Sequence, residues 1–112
     1  MSIEKFRTPD GRFTLIVENH REEFTLWFEG FPARVFGIAI ATLRHERDEE
    51  TAVSDFLEEL LHDEVPIIIR KKRGMVVDAW PHEDPDNDPP IDSPPQDELY
   101  ELRRWSGKKE IA

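Results

Sequence analysis

No cysteine occurs in the 112-residue chain, so disulfide staples, thiolate nucleophiles and cysteine-ligated metals are excluded. Glycine is scarce. Its five copies form no G-x-G-x-x-G or Walker-type run, which leaves no phosphate-cradling loop. Serine is thin as well: Ser2, Ser54, Ser93 and Ser106 all lie outside any G-x-S-x-G setting, so a nucleophile elbow is excluded. No stretch approaches the roughly 18 apolar residues that span a membrane. The opening "MSIEKFRTPDGRF" also lacks the apolar core of a secretory signal. A cytoplasmic protein with no membrane partner is the expectation.

What is present is charge, together with enough apolar bulk for one modest core. Hydrophobic residues make up 38% and charged residues 36%, while aromatics at 10% argue against disorder. The formal net charge is −10. Much of it sits in "HEDPDNDPPIDSPPQDE", residues 82–98, which holds seven acids, five prolines and no Lys or Arg. Outside that stretch the chain carries 18 acids against 15 bases, close to balance. A field of this sign disfavours direct contact with nucleic acid and favours a basic partner.

Periodicity places the elements. Phe13, Leu15 and Val17 alternate with Thr14, Ile16 and Glu18, and Phe24, Leu26 and Phe28 alternate with Thr25, Trp27 and Glu29. Period two with Phe and Thr enrichment predicts strands, joined to the first segment through the Pro9-Asp10-Gly11 turn as an antiparallel meander. "ARVFGIAIATLR" admits two parses, a buried helix or a fourth strand. The alternation of large Phe36, Ile38 and Ile40 with small Gly37, Ala39 and Ala41 tips it towards strand. Val53, Phe56, Leu57, Leu60 and Leu61 form one apolar helical stripe that Pro66 should stop, with Asp48, Glu49 and Glu50 at the helix N-terminus where the macrodipole favours anions. Ile67–Ile69 and Met75–Trp80 read as a hairpin around the basic Lys71–Gly74 loop, with Pro66 marking an edge strand or a strand's first residue. From Ser93, an S-x-x-Q capping box and the Leu99, Leu102, Trp105 spacing predict a short helix, with a strand through "LYELRRW" as the competing parse.

The expected fold is therefore a single α+β domain. An antiparallel β-sheet, made of the N-terminal meander and the later hairpin, carries one main amphipathic helix and a short C-terminal helix. Its parts are an α+β core over 1–81, an acidic Pro-rich connector over 82–92, and a C-terminal helix or strand over 93–112 that packs back on the core.

Candidate chemistry fails on mechanism in most places. "DPDND" has the alternating oxygens of a calcium loop, but the sixth and twelfth positions, which need Gly and Glu, are Pro89 and Pro95. His45-Glu46 begins like H-E-x-x-H, yet the second His position is Glu49. No spacing pairs His20, His62 and His82, and His62 suits a helix C-terminus. No metal or other cofactor and no catalytic residue is expected. The "RKKR" at 70–73 reads as a solvated hairpin tip that also guards a sheet edge, or as the internal answer to the acidic stretch. Trp27 lies opposite the core-facing Phe24, Leu26 and Phe28, ringed by polar and acidic residues, which suits either an interface anchor or a face covered by another element.

These readings lead to a small, non-enzymatic binding protein, of the inhibitor or immunity type, that neutralises a basic protein partner such as a toxin. Its expected contacts are Trp27, Glu83, Asp84, Asp86, Asp88 and Asp92. Acidic surface would steer association and a buried aromatic would slow release. Two other classes stand beside it: a nucleic-acid mimic blocking a DNA-binding protein, and a structural subunit of a homo-oligomer, a homodimer in the simplest case.

Overall fold

A computed structural model describes residues 2–83 and 97–107. β1 (Ser2–Arg7) and β2 (Thr14–His20) pair antiparallel across the expected turn. That turn is held by short-range hydrogen bonds: the Thr8 hydroxyl donates to Asp10 Oδ1 at 2.6 Å, the Arg12 N–H donates to the same oxygen at 3.1 Å, and the Phe13 N–H donates to Thr8 Oγ1 at 3.2 Å. β3 (Glu23–Phe28) then pairs with β2, completing the meander. The two residues between these strands, Arg21 and Glu22, both sit in the left-handed region, with φ of 52° and 67°. Hairpin turns of this length need that geometry to match strand twist, and non-glycine residues adopt it at a cost.

The ambiguous 33–44 segment divides. β4 (Val35–Phe36) pairs with β3 as a two-residue strand, and α1 (Gly37–Leu43) follows at once. The slight preference for an extended strand is corrected: α1 buries Gly37, Ile40 and Ala41, a helical i, i+3, i+4 set, while the large Phe36 and Ile38 are exposed, so the alternation marks no single buried face. α2 (Glu49–Leu61) buries Ala52, Val53, Phe56 and Leu60. Asp48 caps it, accepting from the Thr51 N–H. Its end also differs from expectation. The helix stops at Leu61, with His62 as its C-cap and Asp63 in the left-handed region at φ 64°, before Pro66 is reached. His62 Nδ1 lies 2.8 Å from the Glu58 carbonyl oxygen, which serves the helix end as expected.

β5 (Ile67–Lys72), β6 (Met75–Pro81) and β7 (Glu98–Arg103) form a second antiparallel sheet in the order β6-β5-β7. The C-terminal helix is thus corrected to a strand, β7, paired along all six residues of β5. β5 is central, which corrects the edge-strand reading of Pro66; that proline stands just outside the strand. Ile67, Ile68 and Ile69 are all buried, so both faces of this end of β5 are covered and it reads as continuously apolar. The described chain is therefore α+β as expected, with the antiparallel strands divided between a sheet of four and a sheet of three.

The core lies among the two sheets and helices. Leu15, Leu26 and Phe28 from the meander meet Phe56 and Leu60 of α2, Ile40 of α1 and Ile67 of β5. Burying one such side chain contributes about 1.5–3 kcal/mol. Polar ties close the seams. Asp78 Oδ1 accepts from the Ala33 N–H at 3.1 Å, joining β6 to the loop before β4. Asp63 accepts from the Ser106 N–H at 2.9 Å and from its hydroxyl at 2.6 Å, fastening the chain after β7 to the end of α2.

Candidate functional site

Trp27 occupies the face of the four-stranded sheet away from the core, as the alternation required. Register aligns Lys5, Ile16 and Trp27 across three strands. Ile16 is buried in this row and Trp27 half-buried. The Arg34 guanidinium lies 4.7 Å from the Trp27 ring centroid, held there by hydrogen bonds to the Phe31 and Ala33 carbonyls. The indole is therefore capped by the chain's own arginine. On the same face Phe36 stands opposite Thr25 and is 54% exposed. Ile38, at 63%, is also exposed on α1.

The acidic stretch is only partly in view. Glu83 is half-buried just beyond β6. Asp84, Asp86, Asp88 and Asp92, and the Ser93 capping box, lie outside the described residues. The last two acids of the stretch face the basic hairpin: Arg70 pairs with Glu98 at 3.1 Å and Arg73 with Asp97 at 3.9 Å. Lys71 pairs with Glu101 at 2.9 Å. Cross-strand register between β5 and β7 produces these pairs, so part of the "RKKR" charge is answered internally.

A second acidic surface emerges that averaging over the sequence concealed. Residues 46–64 hold nine Asp or Glu against one Arg. Outside both this segment and 82–98, the chain carries nine acids and fourteen bases. The near-balance of the body thus comes from two opposed regions. Some α2 acids serve the fold. Asp48 is the cap, and Glu49 Oε1 accepts from the Phe24 N–H at 2.8 Å. Glu59 is bound by Arg44, whose guanidinium also lies 5.5 Å from the Phe56 ring. Asp55, Glu58 and Glu64 are exposed, and their carboxylates have no hydrogen-bond or ion-pair partner among the described residues. With Arg44 and Glu59 they line an open groove of about 240 Å³. A segregated count along 46–64 was the signal that would have found it.

Among the described residues, no three His, Asp or Glu side chains are grouped to hold a metal ion. Nor is any helix among them long and apolar enough to cross a membrane. No protein-family model matches the chain, and no curated protein or solved structure matches it.

Proposed function

We propose that this is a small, non-enzymatic, cytoplasmic binding protein that takes a basic protein partner, as an inhibitor or immunity-type protein would. The observation that carries the reading is the groove on α2, where the carboxylates of Asp55, Glu58 and Glu64 have no partner among the described residues and the cation in the lining, Arg44, is committed to Glu59. Carboxylates left in this state attract a complementary patch and accelerate encounter. The acids at 83–92 carry the same sign of charge, and the exposed Phe36 beside the Arg34-capped Trp27 offers apolar area on a separate face. α2 is 13 residues long, about 20 Å. That length suits a compact basic patch better than a long run of duplex phosphates, which favours a protein partner over nucleic-acid mimicry.

Affinity capture from extract of the source cells tests this, using the native chain and a variant with Asp55→Lys, Glu58→Lys and Glu64→Lys. The expected result is recovery of an identified protein of pI above about 9 by the native chain only. That recovery should be lost at about 1 M salt, where the screening length falls to about 3 Å. Equal recovery by the reversed variant would refute the assignment to α2.

A further inference from the structure

The Thr8–Phe13 turn of the first sheet and the core-side face of the second border an open cleft of about 420 Å³, with no residue of α2 in its lining. Its apolar lining comes from Phe13 and Phe31, with ring centroids 6.0 Å apart, from Ile69 on β5 and from Val76 on β6. A space of this size, lined in comparable share by apolar and charged side chains, has the dimensions of small-molecule sites.

The polar groups decide what it would take. Two acids line the cleft, and both are committed. Asp10 accepts from Arg103 at 2.8 Å, from the Thr8 hydroxyl and from the Arg12 N–H. Glu101 is bound by Lys71 at 2.9 Å. The Arg103 guanidinium donates from each of its three nitrogens within the protein, to Asp10 and to the Arg104 and Trp105 carbonyls, and it lies over the Phe13 ring at 5.0 Å. Arg12 differs. It is exposed, lines the cleft, and its guanidinium has no hydrogen-bond or ion-pair partner among the described residues. Lys71 adds an ammonium with three donors, of which Glu101 takes one. The lining thus offers apolar surface beside uncommitted positive charge, with no uncommitted negative charge.

We propose that this cleft binds a small organic anion, an aromatic or branched apolar body bearing one carboxylate, with the body on Phe13, Phe31, Ile69 and Val76 and the carboxylate on Arg12. Lys71 supplies a second donor to the same carboxylate. Arg103 is a positioning residue: it holds the turn that presents Arg12, and each of its three nitrogens already donates within the protein. This site is independent of the partner face on α2, so a ligand in the cleft leaves the groove there open.

The test is calorimetric titration with 1-naphthoate and with the uncharged 1-naphthalenemethanol as probes. The native chain should bind naphthoate saturably at one site, with the alcohol weaker by about tenfold or more. Arg12→Glu should weaken naphthoate by about tenfold or more and leave the alcohol unchanged. Val76→Trp, which fills the cleft from an exposed position, should abolish both. Thermal melting should show all three proteins folded. Equal binding of the two probes, insensitivity to Arg12→Glu or Val76→Trp, or no naphthoate binding up to millimolar concentration would each overturn the proposal.

Discussion

Asp10 and Arg103 stand 93 residues apart in the chain and meet at 2.8 Å, joining the first turn to the last strand. Arg103 is almost wholly buried while Asp10 keeps about a third of its side-chain surface in water. Removing the acid leaves the buried guanidinium, stacked on Phe13, without its anion, and removing the arginine leaves the turn without its anchor. Arg103→Ala should cost about 3 kcal/mol, the lower end for a broken buried pair because Asp10 is partly solvated. Urea denaturation with an unchanged m-value would check it.

The same pair sets an acid dependence. Hydrogen bonds from Arg103 first, then Thr8, hold the Asp10 carboxyl far below the ordinary carboxylate range. Its folded pKa lies below its unfolded value of about 3.9, so near that pH the unfolded chain binds more protons and stability rises with pH. The contribution is complete above about pH 5 and is lost as pH falls below about 4 towards the folded pKa. Asp10→Asn should remove that portion of the acid slope. The stability gap between native and variant, measured by urea titration at successive pH, should narrow as pH drops.

Gly37 is required by close approach. A Cβ built there would lie 2.8 Å from Cβ of Phe24 and would also crowd the Glu49 carboxylate that accepts from the Phe24 N–H. Gly37→Ala should therefore destabilise by about 1–3 kcal/mol, despite the better helix propensity of alanine. A lowered thermal midpoint would show it.

The Arg21-Glu22 turn makes the opposite case. Both residues hold positive φ, which Asn and Gly adopt with less strain. Arg21→Asn with Glu22→Gly should add about 1 kcal/mol and raise the midpoint by about 4 °C or more. Calorimetry would register the shift.

What the sequence disclosed follows from where the deciding interactions lie. β2, β3 and α2 were legible because one face of each is mainly apolar while the other carries polar residues, broken on the sheet only by Ile16 and Trp27, so Leu15, Leu26 and Phe56 mark their own burial. β7 was not. Its core-side row is Leu99, Glu101 and Arg103, in which Leu99 is 60% exposed and Arg103 is buried, the reverse of a hydrophobic pattern. The apolar residues left over, Leu99, Leu102 and Trp105, fall at a helical spacing by coincidence. The interactions that make it a strand, among them Arg70–Glu98 and Lys71–Glu101, are 28 and 30 residues distant in sequence. In 33–44 the large–small alternation was real, but Gly37 and Ala41 are small because α1 packs closely against its neighbours. The Trp27 face was placed correctly, whereas Arg34 over the ring depends on the loop before β4. The acidic groove leaves no mark on the net charge of the body, where the acids of 46–64 cancel against bases elsewhere in the chain.

The most direct measurement is the association rate of the captured basic partner as a function of ionic strength. Steering by α2 predicts a rate constant of about 10⁸ M⁻¹s⁻¹ at low salt that falls steeply as salt rises. The variant with Asp55→Lys, Glu58→Lys and Glu64→Lys should be slow and much less salt-dependent. A native rate indifferent to salt, or the same rate in that variant, would contradict the role assigned to this surface.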